Sequence, residues 1–437
     1  MRESMFVRLS LVVRAGTVAV LLAGWTGRLG ARLLVDALRR TGPGGAGRVA
    51  PRERVAATLT DAVEGLGPAY VKLGQVLSTR SDVLPPRLCR SLSRLHDRVS
   101  PPSDIAAVVR TVPPRLTGSV VGEASGLTLT AAGSIACVFR ARLRDGREVA
   151  VKVRRPGIDR TMRLDLALVG AVARAVGRLP ALRRVPLAEI VDQVSAAVYE
   201  QLDFVREARS LTRLRENLHT LPDVRVPAVV PELSSRTVLV TEWMDGLVRD
   251  AQPTGARRTA VLNGLRAAYQ MLFRDGFVHC DLHPGNLYLM ADGTAVIVDA
   301  GFVRCLTDFA RRTFAEFFYH LGRNDGRRCA EVLLSTARAP GGGYDRDGFR
   351  EDVVALVARN SSVAAADFDL VSFAASLFAI QRSRGLYADP QFVFPILALL
   401  VLEGSVRELA PDIDFQAEAV PYVLRGLQET ASLTMRP

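Results

Sequence analysis

The chain has 437 residues, 49% apolar and 23% charged, with a formal net charge of +12. A chain of this length makes about two or three domains, and this composition is globular, which excludes a disordered or fibrous protein. Its five cysteines are scattered without a CxxC pair, which argues against a disulfide framework or a zinc site and for a reduced, cytosol-facing chain.

Residues 1–40 carry seven Arg against Glu3 and Asp36. Ala15–Gly27 is an uncharged, mostly apolar run between Arg14 and Arg28, with Trp25 near its end. A helix over it spans about 20 Å, short of the roughly 30 Å hydrocarbon core of a bilayer. An interfacial basic helix and a helix packed on the protein's own core both fit the pattern. Basic runs are not interleaved with aromatic residues, which sets nucleic acid aside as a partner. Thr41–Gly47 is a Gly-rich break.

Residues 52–110 read as helices, with Pro85-Pro86 and Pro101-Pro102 as stops. The pattern then changes to strands at Leu127–Thr130, Ala136–Leu143 and Glu148–Val153, with a Gly-bearing loop, Ala131–Ile135, between the first two. Helical periodicity returns over 160–218, Thr237–Thr241 is a buried-type strand, and Arg257–Arg274 is helical again. Short strands follow at Leu287–Leu289 and Ala295–Val298, and everything after 307 is mainly helical. Pro390–Leu402, a second uncharged run, is too short to span a membrane and is expected as a buried helix. The result is an α+β, two-lobed arrangement, a small β-rich lobe before a large helical one.

Of 57 basic residues only Lys72 and Lys152 are Lys, the rest Arg. An ammonium is a compact point charge that meets a phosphate or carboxylate end-on, so these two positions are informative. Lys152 closes Val149-Ala150-Val151-Lys152 on the third strand, the V-A-I-K pattern whose Lys reaches the α/β-phosphates of a nucleotide. The preceding segment matches the Gly-rich phosphate loop with Ala at two Gly positions, so Ala131, Ala132, Gly133 and Ser134 are candidate nucleotide contacts. Glu242 and Met244, after the Thr237–Thr241 strand, complete that set. Lys152 needs a carboxylate partner, and Glu207 is the best candidate, with Asp203 one helical turn earlier on the same face.

The densest chemistry is His279-Cys280-Asp281-Leu282-His283-Pro284-Gly285-Asn286, followed by Asp299-Ala300-Gly301. Phosphoryl transfer needs a carboxylate near the acceptor and oxygen ligands that hold Mg²⁺ on the phosphates. Asp281 and Asn286 have the spacing of base and metal ligand in kinase catalytic loops, and Asp299 ends a short apolar strand where a second metal ligand belongs.

Lys72-Leu73-Gly74-Gln75, in the setting AYVKLGQVLSTRSDVLP, matches a KxGQ signature. With VAVKV, the LDFxxEA stretch, HxDxHPGN and DxG in that order over roughly residues 52–410, the chain resembles the UbiB (ABC1/AarF/ADCK) family of atypical kinases. The resemblance implies a protein-kinase-like fold in which an N-terminal helical extension lays Lys72 and Gln75 over the active site as a gate, with Asp203 beside them. It also implies ATP (or ADP) and Mg²⁺ as cofactors and a place in isoprenoid-quinone or other lipid metabolism. Peripheral contact with the cytoplasmic face of a membrane goes with it. Gln201 stands where the family's ExD signature has Glu, Gly133 replaces an Ala of the Ala-rich loop, and Ala300 replaces the Phe of DFG.

The expected organisation is a basic N-terminal segment and linker (1–47), a KxGQ helical extension (48–115), a small N-lobe with inserted helices (116–243) and a helical C-lobe (244–437). The leading reading is a kinase or ATPase in which Asp281, Lys152 and Glu207 are catalytic and Asn286 and Asp299 hold the metal. A small-molecule phosphotransferase resembling aminoglycoside or choline kinases shares HxDxHPGN, and a nucleotide-binding pseudokinase scaffold is the non-enzyme alternative.

Overall fold

A computed structural model describes residues 13–21, 23–27, 51–78, 86–96, 102, 104–122, 126–179, 187–247, 255–283, 285–339, 343–361 and 368–434. Residues 13–21 and 23–27 are helical. Helices α1 (Pro51–Leu66), α2 (Pro68–Ser78), α3 (Pro86–Ser93), α4 (Ile105–Val109) and α5 (Pro114–Thr117) precede strands β1 (Thr128–Ala132), β2 (Ala136–Arg142) and β3 (Glu148–Arg154). Next come α6 (Ile158–Val176), α7 (Leu187–Glu200), α8 (Phe204–Asn217), β4 (Val224–Arg225) and β5 (Val238–Glu242). Helix α9 (Gly255–Tyr269) runs into a π-helical turn, Gln270–Asp275, and then into β6 (Phe277–His279), β7 (Leu287–Leu289), β8 (Ala295–Ile297) and β9 (Val303–Cys305). Beyond β9 the chain is mainly helical: α10 (Asp308–Gly322), α11 (Gly326–Thr336), α12 (Arg346–Ser361), α13 (Leu370–Ser383), α14 (Pro390–Leu409) and α15 (Phe415–Thr434).

The described residues fall into two compact units. One draws on Met1–Thr111, Leu129–Val138 and Val153–Leu202, the other on Val112–Thr128, Phe139–Lys152 and Asp203–Pro437. Strand order is β1-β2-β3-β5 in a four-stranded sheet and β4-β8-β7 in a three-stranded one, with β6 and β9 forming a separate pair.

In the first unit the helix after Arg14 packs on the chain's own core. Val18 is buried, and the Arg14 guanidinium donates to both oxygens of Asp165 on α6 (2.5 and 2.8 Å) and to the Leu66 carbonyl ending α1 (2.9 Å). Asp165 is fully buried. Within Ala15–Gly27 the buried residue among those described is Val18, while Val20, like Val13 before the run, faces outward, so the segment has a core contact and an exposed face. No described helix is long and apolar enough to cross a membrane. The two helices α6 and α7 account for the long interval between Lys152 and Glu207.

The second unit carries the two short antiparallel strand pairs that build the site, the β7–β8 hairpin and the β6–β9 pair that flanks it in sequence. In β7–β8, Leu287 pairs with Ile297 and Leu289 with Ala295. The connection turns at Gly293, whose φ of +93° is strained for any L side chain. In β6–β9, Phe277 pairs with Cys305 and His279 with Val303. The run expected as a buried helix is the start of α14, with Phe392, Val393, Phe394, Leu397 and Leu402 in the core. All five cysteines are free, and only Cys305 is exposed.

The helix expected over Arg257–Arg274 ends instead in the π turn, whose last residue, Asp275, is half-buried. Its Oδ1 accepts from Gln270 (3.1 Å), while its Oδ2 is buried without a hydrogen-bond partner. Burial raises this carboxyl to about 6, against the opposing pull of Gln270 and Arg274. The folded chain thus holds a proton that the unfolded chain has lost, and stability falls as pH rises from about 4 to 6. Asp275→Asn removes a penalty present above that window. The variant is expected to be more stable than the parent at pH 8 by about 1 kcal/mol, solvent screening allowed for, and no more stable at pH 4. Urea denaturation at the two pH values measures this, and equal gains at both would contradict it.

Candidate active site

Strand alternation places Lys152. On β3, Val149, Val151 and Val153 point into the core, so Lys152 lies on the opposite, half-open face. Its ammonium donates to Glu207 Oε1 (2.6 Å) and to Asp299 Oδ2 (2.5 Å), and it sits 5.2 Å from the ring centre of Phe204. Phe204 is fully buried at the start of α8. The expected Lys152–Glu207 pair is present, and Asp299 joins it.

These charges reshape one another. Burial pulls the Lys152 ammonium down, but Asp299 and Glu207 together raise it above its ordinary value. Burial and the neighbouring Asp299 carboxylate push Glu207 up to about 7 against the pull of Lys152. Its Oε2 is buried and accepts no hydrogen bond. For Asp299, burial is outweighed by Lys152 and by the Gly301 N–H, so it is held well below the usual carboxylate range. The Gly301 bond is 2.8 Å, to Oδ1.

Asp203 departs from the sequence expectation. It does not sit within a helix one turn before Glu207. Its backbone is extended (φ −103°, ψ 98°), and it caps α8, its Oδ1 accepting from the Val205 N–H at 3.1 Å. An Asp preceding an amphipathic run satisfies an orphan N–H better as a cap than as an interior residue, which is why it ends up there.

The two antiparallel strand pairs bring the remaining residues together. The register of β7–β8 sets Asn286 opposite Val298, whose N–H donates to the Asn286 carbonyl (3.0 Å), so Asn286 neighbours Asp299. Asn286 Nδ2 donates to the Asp281 carbonyl (2.8 Å), closing the loop between them. His279, fully buried, has a role that the motif pattern alone did not assign. Its Nε2 donates to the Asp299 carbonyl (2.7 Å) and its Nδ1 accepts from the Asp281 N–H (3.1 Å), so one ring ties the Asp281 loop to the Asp299 segment. The HxD spacing was its signal. Phe204, next to Asp203 in sequence, likewise had no assigned role.

In the first unit, Ala131 and Ala132 belong to β1, so the turn is shorter than the expected loop and consists of Gly133, Ser134 and Ile135. The Gly133 N–H donates to Ala136 O (2.8 Å), and Ser134 is buried. A Cβ at Gly133 would meet Ala136 O at 3.5 Å, an ordinary contact, so the backbone here does not require Gly. Gln75 is buried and donates to Leu95 O (2.8 Å), Lys72 is half-buried, and the Gln201 amide turns to Ala197 O on its own helix. In the second unit, Glu242 and Met244 line a cavity of about 230 Å³ with Arg225, Trp243, Met290 and Thr294; Lys152, Asn286 and Asp299 are not among its walls.

Residues 127–333 match the model of the ABC1 atypical kinase-like domain. Over 393 residues the chain is 33% identical to the "Probable protein kinase UbiB" of Pseudomonas putida, covering 86% of this chain and 72% of that one. The chain belongs to the UbiB family of ABC1 atypical kinase-like proteins. The protein of the same name from Pseudomonas entomophila is 32% identical over the same shares. A structure described as the Rv3197–erythromycin complex from Mycobacterium tuberculosis aligns with 82% of this chain and 96% of that one, at 21% identity and a TM-score of 0.48. Two residues after Ala300, Phe302 is buried edge-on against Phe394 (5.1 Å), and Ala300 is buried as well.

Proposed function

We propose that this UbiB-family chain is an atypical kinase or ATPase that binds Mg-ATP and hydrolyses it or transfers its γ-phosphate. The observation that carries the reading is Lys152 held between Glu207 and Asp299. An ammonium fixed on β3 in this way reaches the α/β-phosphates, with Glu207 orienting it.

Asp299 and Asn286 are the residues that would hold magnesium. Among the described residues no group of three or more His, Cys, Asp or Glu could hold a metal ion. That suits a cation which keeps water and phosphate oxygens and takes only one or two ligands from the protein. When bound, magnesium neutralises charge on the β- and γ-phosphates. Asp281 accepts the proton of the attacking hydroxyl or water as that oxygen bonds to the γ-phosphorus, and the bond to the bridging oxygen breaks to release ADP. Lys72, Gln75 and Asp203 take the gating role that the family resemblance implies.

The name of the relatives, a protein kinase, supports the catalytic half of this reading. The resemblance supports isoprenoid-quinone or other lipid metabolism as its setting, on the cytoplasmic face of a membrane, with exposed Val13 and Val20 as peripheral contacts. Mg-ATP turnover with and without anionic vesicles tests both halves. Lipid-stimulated hydrolysis that Asp299→Asn abolishes is the expected result. A Mg-nucleotide-dependent rise in melting temperature without turnover would make the protein a scaffold, and the absence of both would overturn the reading.

A further inference from the structure

We infer that His283 is a positioning residue for Asp281, an inference that rests on the phosphoryl-transfer reading above. The loop that carries Asp281 is unusually constrained around this His. The His283 carbonyl accepts from the Asn286 N–H (2.8 Å) and from the Leu287 N–H (3.0 Å). The ring is fixed separately: Nδ1 accepts from the Gly285 N–H at 2.9 Å. An Nδ1 that accepts carries no proton in the neutral ring, so the proton lies on Nε2. That nitrogen faces Asp281 Oδ2 at 3.8 Å, with both side chains largely buried.

At 3.8 Å the Nε2–H lies outside direct hydrogen-bond range of the carboxylate, a separation that commonly closes when substrate binds. A donor on Oδ2 fixes the rotation of the carboxylate and so sets where it meets the acceptor's proton. His283 therefore acts through Asp281 and does not itself touch the reacting atoms. The tandem of two His around one Asp divides the work: His279 anchors the backbone of the loop, and His283 orients the carboxylate within it.

The two nitrogens can be removed separately. His283→Asn offers an oxygen near the Nδ1 position and can keep the Gly285 N–H satisfied, but it has no donor toward Asp281. His283→Gln keeps an N–H near the Nε2 position and lacks the acceptor for Gly285. The full chain, with Mg-ATP and anionic vesicles, is assayed for kcat and KM, and each variant is melted.

A positioning role predicts that Asn lowers kcat about tenfold with KM for ATP unchanged. Gln should retain most of kcat. The reverse order, Gln impaired and Asn near wild type, would show that the Gly285 bond alone matters and overturn the inference, as would wild-type kcat in both variants. If the Asn variant melts well below wild type, the Gln variant decides: a kcat below a tenth of wild type in a Gln variant that melts as wild type does overturns the inference. Absence of turnover in the wild-type protein would instead defeat the phosphoryl-transfer reading, so the two failures are distinguishable.

Discussion

Asp299→Asn is expected to lower Mg-ATP turnover by about 10³-fold while leaving the protein folded. The native carboxylate is ionised because Lys152 and the Gly301 N–H outweigh its burial. Asn keeps the shape and removes the charge, so the proposed metal loses its anionic protein ligand and the phosphate oxygens lose the neutralisation it brings. Folding should survive, because Lys152 retains Glu207 at 2.6 Å and the buried positive charge stays paired. Lys152→Met should be as inactive but also less stable, since Glu207 and Asp299 would then repel one another without a cation between them. Steady-state ADP release beside a thermal melt separates the two variants. Turnover by Asp299→Asn above a tenth of wild type would remove Asp299 from the metal site.

Arg14→Met is expected to be the most damaging substitution in the first unit, costing about 3 kcal/mol. Asp165 is fully buried and receives both of its charge-assisted bonds from this one guanidinium, which also satisfies the Leu66 carbonyl at the end of α1. Removal of Arg14 leaves a buried carboxylate uncompensated. Removal of both partners does not, so Arg14→Met with Asp165→Leu should recover most of the loss. Trp25 provides the readout, because a Cβ on Gly65 would lie 3.3 Å from its indole nitrogen, close enough to report on the docking of residues 13–27 against α1. Urea unfolding followed by Trp25 fluorescence in a Trp243→Phe background measures it. A midpoint unchanged by Arg14→Met would mean that the ion pair contributes nothing to holding the segment.

Much of the site was legible in the sequence because its parts are short and local. HxDxHPGN, DxG and VAVK each place a polar residue at a fixed offset from a strand of two-residue period, and the strands formed within one or two residues of where the pattern put them. Local reasoning failed where two local solutions compete. Asp203 has the spacing of an interior helix partner for Glu207, yet a capping Asp satisfies a backbone donor that nothing else reaches. The end of α9 shows the same limit, since the last five residues of the expected helix, Gln270–Arg274, belong to a π turn instead. The run Ala15–Gly27 was ambiguous between lipid and protein, and only the appearance of Asp165, 151 residues beyond Arg14, shows which surface Arg14 serves.

The sequence by itself determined the family, the two-lobed α+β class and the identity of the chemical groups, because these depend on residue type and on spacing along the chain. Tertiary structure alone decided that Lys152, expected beside Glu207, also meets Asp299, 147 residues away, and that His279 bridges Asp281 and Asp299. Those contacts are set by strand register and by the pairing of two short antiparallel ladders. Which charges a fold buries together, and how far each then moves from its ordinary ionisation, follows from distances across the fold that no spacing along the chain encodes.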